Sequence, residues 1–281
     1  MSQQVMVGVV VEPTDGARAL VGGAPVVLAD PSDVSALLGA LPPSTTHVLL
    51  LGEGRHGAVL RQHAALLADT GPAVASLALP HGPAALIVLA LHAAAARVDA
   101  GLLPGAVEDL AQRTWSGAWT PSVARLEDPS PSFSQHVRSL LPGGHGFVVS
   151  AAPAPGVLAV KDAPPDARAD HDPAHARGVL YSAVPGLPDV VLRTAFAVSG
   201  AQECTELHGL ALDMVGRFGD GQAVEMFALP ADQRLHTPDP ARMPRCAVCE
   251  AVTPEHYCAY CHVRPADVEA PARTESRGAP L

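Results

Sequence analysis

The stretch His47-Val-Leu-Leu-Leu51, followed by Gly52-Glu-Gly54-Arg-His-Gly57 and then Ala58 to Ala68, decides the fold. A histidine followed by aliphatic residues without polar alternation reads as a strand buried on both faces. The glycine-bearing turn then opens a helix from Ala58 to Ala68. Pro72 to Leu79 reads as a second strand of the same kind, and Pro83 to Arg97 as a long apolar helix. Strand and helix alternating in this way mark an α/β chain with a parallel sheet. Upstream, Val5 to Val11 is a further buried strand. Ala19 to Ala29 is expected to form a hairpin turning at Gly22-Gly23. Asp30-Pro31-Ser32 caps a short helix through Leu38 and Leu41, which Pro42-Pro43 ends.

Composition sets limits on what such a chain can do. Of 281 residues, 48% are hydrophobic but only 4% aromatic, so the core must be built from Ala, Val and Leu. The formal net charge of −10 argues against a broad DNA-binding surface. A coiled coil, a collagen and a disulfide scaffold are excluded by the same composition. The apolar run 83–97 falls short of the roughly 20 residues a bilayer demands and contains His92, so a buried helix is expected rather than a membrane span. The N-terminus has no basic segment before Glu12, and four of the five cysteines crowd into 246–261. Both features fit a soluble, cytoplasmic protein with metal-bound thiols.

Downstream the reading is coarser. Trp115 and Trp119 share a face if helical, although Gly117 and Pro121 favour a loop equally; either way they serve as packing anchors. A helix capped by Ser130 or Ser132 is expected within 129–142. Strands are expected at 156–160, 178–184, 189–198 and 222–229, and a helix around 201–217. Asp162, Asp166, Asp170 and Asp172 decorate a Pro-rich loop. Residues 230–245 are polar and Pro-bearing, as a linker is.

The strongest chemical signal is Cys246-Ala-Val-Cys249 and Cys258-Ala-Tyr-Cys261, with eight residues between. Each Cys-x-x-Cys turn presents two sulfurs to one metal, and two turns complete a tetrahedron at Zn–S distances of about 2.3 Å. The eight residues suffice for a tiny hairpin. Over residues 246–262 the pattern resembles the short zinc-ribbon modules of bacterial proteins, with Tyr257 before the third cysteine and a Pro254 turn. That family usually carries glycine after each Cys-x-x-Cys, where Glu250 and His262 stand here. A mononuclear iron site uses the same four ligands, and a redox Cys-x-x-Cys would sit at a helix start. Four thiolates leave no open position for water, so the zinc is expected to be structural.

Weaker constellations accompany it. Gly52, Gly54 and Gly57 match G-x-G-x-x-G between a strand and a helix, the context for a phosphate cradle at a helix N-terminus. The following strand ends in Pro80, not in the acid a ribose would require, and a plain tight turn is the competing reading. His171 and His175 lie close together in a loop. Cys204 and His208 stand four apart, as a thiol and base would, or as ordinary packing.

The expectation is therefore an α/β N-terminal body (1–150), a strand-rich α+β second part (151–229), a linker (230–245), a zinc ribbon (246–262) and a disordered tail (263–281). Its function is expected to be that of a zinc-binding, non-catalytic adaptor whose ribbon contacts a protein partner, in preference to nucleic acid. The alternative is an α/β protein or enzyme binding a nucleotide or phosphate-bearing ligand at Gly52–Gly57.

Overall fold

The computed structural model describes residues 3–33, 35–141, 143–161, 177–207, 210 and 214–264. The chain is an α/β body with a strand-rich α+β second part and a small four-cysteine module at its C-terminal side. Strands β1 (Val5–Val10), β2 (Val26–Ala29), β3 (His47–Glu53) and β4 (Ala73–Leu79) form one parallel sheet in the order β2-β1-β3-β4. β3 has a neighbour on each side, and all seven of its residues are buried. This explains its unbroken apolar run. Helices α1 (Asp15–Val21), α2 (Ser35–Ala40), α3 (Gly57–Ala68), α4 (Pro83–Ala95) and α5 (Leu103–Arg113) accompany these strands.

The segment 19–29 is not a hairpin. Asp15–Val21 is helical, with the Thr14 hydroxyl accepting from Ala17 N at 3.2 Å. Gly22 leaves the helix at φ 54, and β2 then pairs in parallel with β1. The cap at Thr14 and the buried Ala17 and Val21 outweigh the Gly-Gly turn signal.

The second sheet contains β5 (Trp115–Thr120), β6 (Phe147–Ala152), β7 (Gly156–Ala159), β8 (Arg177–Ser182), β9 (Glu203–Glu206) and β10 (Val224–Pro230), in the order β7-β6-β5-β10-β8-β9. All its pairings are antiparallel except β8 with β9. Helices α6 (Phe133–Ser139), α7 (Asp189–Ser199) and α8 (Val215–Phe218) belong to this half. The two tryptophans lie on a strand, and Trp115 Nε1 donates to Ser150 Oγ. Residues 189–198, expected as a strand, form α7. Val191, Thr194, Ala195 and Ser199 are buried at helical spacing, and Gly200 closes the helix at φ 75. Burial of that stripe overrides the β-branched composition. The helix expected over 201–217 is instead the edge strand β9 and the single turn α8. Ser132 does cap α6, in a capping box with Gln135.

β10 alternates between the two layers. Met226 and Ala228 join the cluster around Trp115 and α7, while Phe227 and Leu229 join the large core built on α4 and the first sheet. This strand ties the halves together. Among the described residues no helix is long and apolar enough to cross a membrane. The loop expected around Asp162–Asp172, His171, His175, His208 and residues 265–281 of the expected tail lie outside the described residues.

Candidate functional site

The carboxyl ends of β3 and β4 lie side by side, with Gly52 opposite Ala78 and Glu53 opposite Leu79. Carboxyl ends of parallel strands are where open α/β sheets hold ligands. A cleft of about 600 Å³ opens there, lined by Gly54, Arg55 and Pro80 from the first sheet and by Arg125, Val215 and Arg217 from the second half. Its volume falls in the range of small-molecule sites.

The cleft wall is organised by buried charge. Glu53, only 2% exposed, accepts from Arg55 Nε and Nη2 at 3.1 Å each, and from Arg217 Nη1. Arg217 also donates to the carbonyls of Pro80 and His81. Arg55 reaches across the α8 turn because residue 216 is glycine; a Cβ there would lie 2.6 Å from Arg55 Nη1. Arg125 is exposed and has no ion pair among the described residues. Glu127 and Asp128 stand on the same wall.

Behind Pro80 the chain turns into α4, and residues of the second sheet grip this turn. Gly82 N donates to Ser116 Oγ at 3.1 Å, and His81 Nε2 lies 3.2 Å from the Thr114 carbonyl. The Glu225 carboxylate accepts from Ala84 N at 3.0 Å and Ala85 N at 3.2 Å. Burial pushes the Glu225 carboxyl up to about 7, against the pull of those amides and Arg217, and Glu53 adds to the rise. Burial lowers His81 to about 4, so its ring is neutral near pH 7.

The three glycines of the expected phosphate loop take different places. Gly52 packs strand on helix, since a Cβ would meet Leu60 Cδ1 at 2.7 Å. Gly54 lines the cleft and begins a 3-10 turn through His56, and Gly57 starts α3 at φ −56. None of them requires a positive φ. Glu53, Arg125, Arg217 and Glu225 escaped the reading of the sequence. The one signal available was a lone acid in an apolar run, as in Val224-Glu-Met-Phe-Ala-Leu229.

The four cysteine sulfurs come within 4.8 Å of one another, with Cys249 Sγ and Cys258 Sγ 3.5 Å apart. Tetrahedral bonds of about 2.3 Å place sulfurs roughly 3.8 Å apart, so Cys246, Cys249, Cys258 and Cys261 fit one metal ion. Glu250 and His262, standing where glycine is usual, adopt φ 62 and φ 56. Their amides donate to the Cys246 and Cys258 carbonyls at 2.9 Å. Both knuckle turns therefore form without glycine.

The module is seated on the body. Tyr260 Oη donates to the Ala100 carbonyl at 3.0 Å, and Val252 N to Asp99 Oδ1 at 3.1 Å. The Tyr260 ring meets His47 edge-on at 4.9 Å. Cys246, Ala251, Cys258 and Tyr260 belong to the large core. His47 begins β3 and Glu53 ends it, so the four-cysteine cluster and the cleft lie at opposite ends of a strand about 20 Å long.

No protein-family model matches the sequence, and no curated protein matches it. Solved structures match the fold. A fatty acid binding DegV family protein from Streptococcus agalactiae is similar with a TM-score of 0.50 and 11% identity, over 82% of this chain and 100% of that one. A DegV family protein from Corynebacterium glutamicum is similar with a TM-score of 0.51 and 12% identity, over 83% and 98%. These likenesses overturn the expectation of a zinc-binding, non-catalytic adaptor. That reading placed the working surface on the ribbon and left the body without a role. The body has a fold shared with DegV family proteins, and the ribbon's aromatic Tyr260 is spent on a contact within its own chain. The ligand-binding alternative is the better supported of the two.

Proposed function

We propose that this chain is a small-molecule binding protein that holds an anionic amphiphile of the fatty-acid class in the cleft between its two sheets. The observation that carries the reading is the convergence of Arg55, Arg125 and Arg217 on a cleft of about 600 Å³ whose other walls include Pro129, Ala151, Pro155 and Val215. Guanidinium groups suit a carboxylate head, and aliphatic and proline walls suit the start of an acyl chain. The similar protein from Streptococcus agalactiae is described as fatty acid binding, which supports the same ligand class. The four cysteines hold zinc, which serves structure because four thiolates close its coordination sphere.

The test is binding of palmitate, measured by calorimetry and native mass spectrometry, with a nucleotide panel in parallel. Palmitate is expected to bind at 1:1, and Arg125→Glu to weaken it roughly tenfold, the loss of one charge-assisted contact. Binding of nucleotides but not of palmitate would overturn the fatty-acid reading.

A further inference from the structure

Helix α4 begins at Pro83, three residues beyond the cleft-lining Pro80, and a helix N-terminus is the ordinary seat for an anionic group. The cap residue Gly82 has no side chain, and Pro83 has no N–H. The amides open to a ligand are therefore those of Gly82, Ala84 and Ala85, since Leu86 N already bonds the Gly82 carbonyl. Gly82 N is taken by Ser116 Oγ, and Ala84 N and Ala85 N by the two oxygens of Glu225. The fit is close: a Cβ on Gly82 would lie 2.2 Å from Glu225 Oε1. Glu225 comes from β10, and its residue is 1% exposed.

We infer that Glu225 is a specificity-determining residue: its carboxylate is a built-in anion that fills the N-terminus of α4 and directs the head group of an anionic ligand to the arginines of the cleft. The inference deepens the proposed function and rests on it for the ligand class. Three further observations support it. Arg217, nearest the turn, already spends Nη1 and Nη2 on Glu53, Pro80 and His81. Arg55 is held by the same Glu53. Arg125 has no ion pair among the described residues, which makes it the free reader of the head group. Glu53 and Glu225 are both buried beside the turn, and Glu225 carries its charge above its raised value of about 7. Above that pH a second anion at the turn would meet repulsion and find no free donor.

The experiment uses the full chain above pH 7, where Glu225 is ionised. Glu225→Ala vacates the seat, and a small carboxylate should refill it. Acetate, against chloride at equal ionic strength, is expected to raise the melting temperature of Glu225→Ala. The parent chain and Glu225→Gln, whose side chains still fill the seat, are expected to show no such rise. If Glu225→Ala does not stay folded in chloride, the folded fraction recovered on refolding in acetate against chloride reads the same site. With palmitate as probe, Arg125→Glu is expected to cost roughly tenfold in the parent chain but less than about threefold beside Glu225→Ala, where the head group can move to α4. Absence of acetate-specific stabilisation overturns the inference. So does an Arg125→Glu penalty of equal size in both backgrounds. Failure of the parent chain to bind palmitate sinks the fatty-acid reading instead, and the acetate result then decides on Glu225 alone.

Discussion

Arg217 of α8 donates to the Glu53 carboxylate at the end of β3, joining residues 164 positions apart. The pair is desolvated, with side chains 11% and 3% exposed, so each charge depends on the other. Arg55 completes a three-residue network on the same carboxylate. It forms the cleft wall and links the two halves of the chain.

Removing the acid should therefore be costly. Glu53→Ala leaves Arg217 partly buried without its carboxylate, and a loss of about 3 kcal/mol in unfolding free energy is expected. Urea denaturation measures it. A loss below about 0.5 kcal/mol would mean that water or another acid satisfies Arg217.

Stability should depend on pH through two buried groups with opposite slopes. Glu225 has its folded value raised to about 7 from 4.5, so the folded state keeps its proton longer. Stability then falls as pH rises from about 4.5 through 7, by up to about 3 kcal/mol. His81 has its folded value lowered to about 4 from 6.5, so stability falls as pH drops through that window. The two oppose each other between about 4.5 and 6.5. Denaturation across pH on Glu225→Gln and His81→Gln separates them. Each variant is expected to reveal the other group's slope, and an unchanged profile in both would remove these residues as its source.

Glycine 101 offers a sharper test of how the four-cysteine module is seated. A Cβ at Gly101 would lie 1.7 Å from the Val252 carbonyl oxygen, backbone against backbone. Gly101→Ala is expected to lift the module from the body and cost about 3 kcal/mol. Gly105→Ala in α5 meets nothing within 4 Å and is expected to be neutral or to stabilise by up to about 1 kcal/mol. Equal melting temperatures for the two variants would disprove this account of the seat.

Metal removal should reach beyond the ligands. Cys246 and Cys258 lie in the large core with α4 and α5, and Tyr260 holds the Ala100 carbonyl. Chelation, or Cys258→Ser, is expected to raise hydrogen exchange over residues 99–103 and lower the melting temperature of the whole chain. Faster exchange confined to 246–262, with an unchanged melting temperature, would make the module autonomous.

The strands and helices around His47–Leu79 were legible because a buried parallel strand cannot alternate. The apolar run Val48–Leu51 is continuous in the sequence and fully buried in the fold. The clustering of the four cysteines was legible for a similar reason: their spacing is local, and one turn of chain places each pair of sulfurs. Residues 189–198 misled because Val190, Val191 and Val198 favour strands, while the helical stripe of Val191, Thr194 and Ala195 acquires meaning only once a sheet lies beneath it.

Sequence alone determined the α/β alternation and the grouping of the four cysteines, because both rest on residues within a few positions of one another. Tertiary structure decided the rest. Glu53 meets Arg217, and Glu225 meets Ala84, across separations of 164 and 141 residues. No local pattern encodes such a meeting; it arises when two sheets close on each other and buried charge must find its partner. The seating of Tyr260 on Ala100 is of the same kind, and it makes a segment that reads as an appendage part of the core.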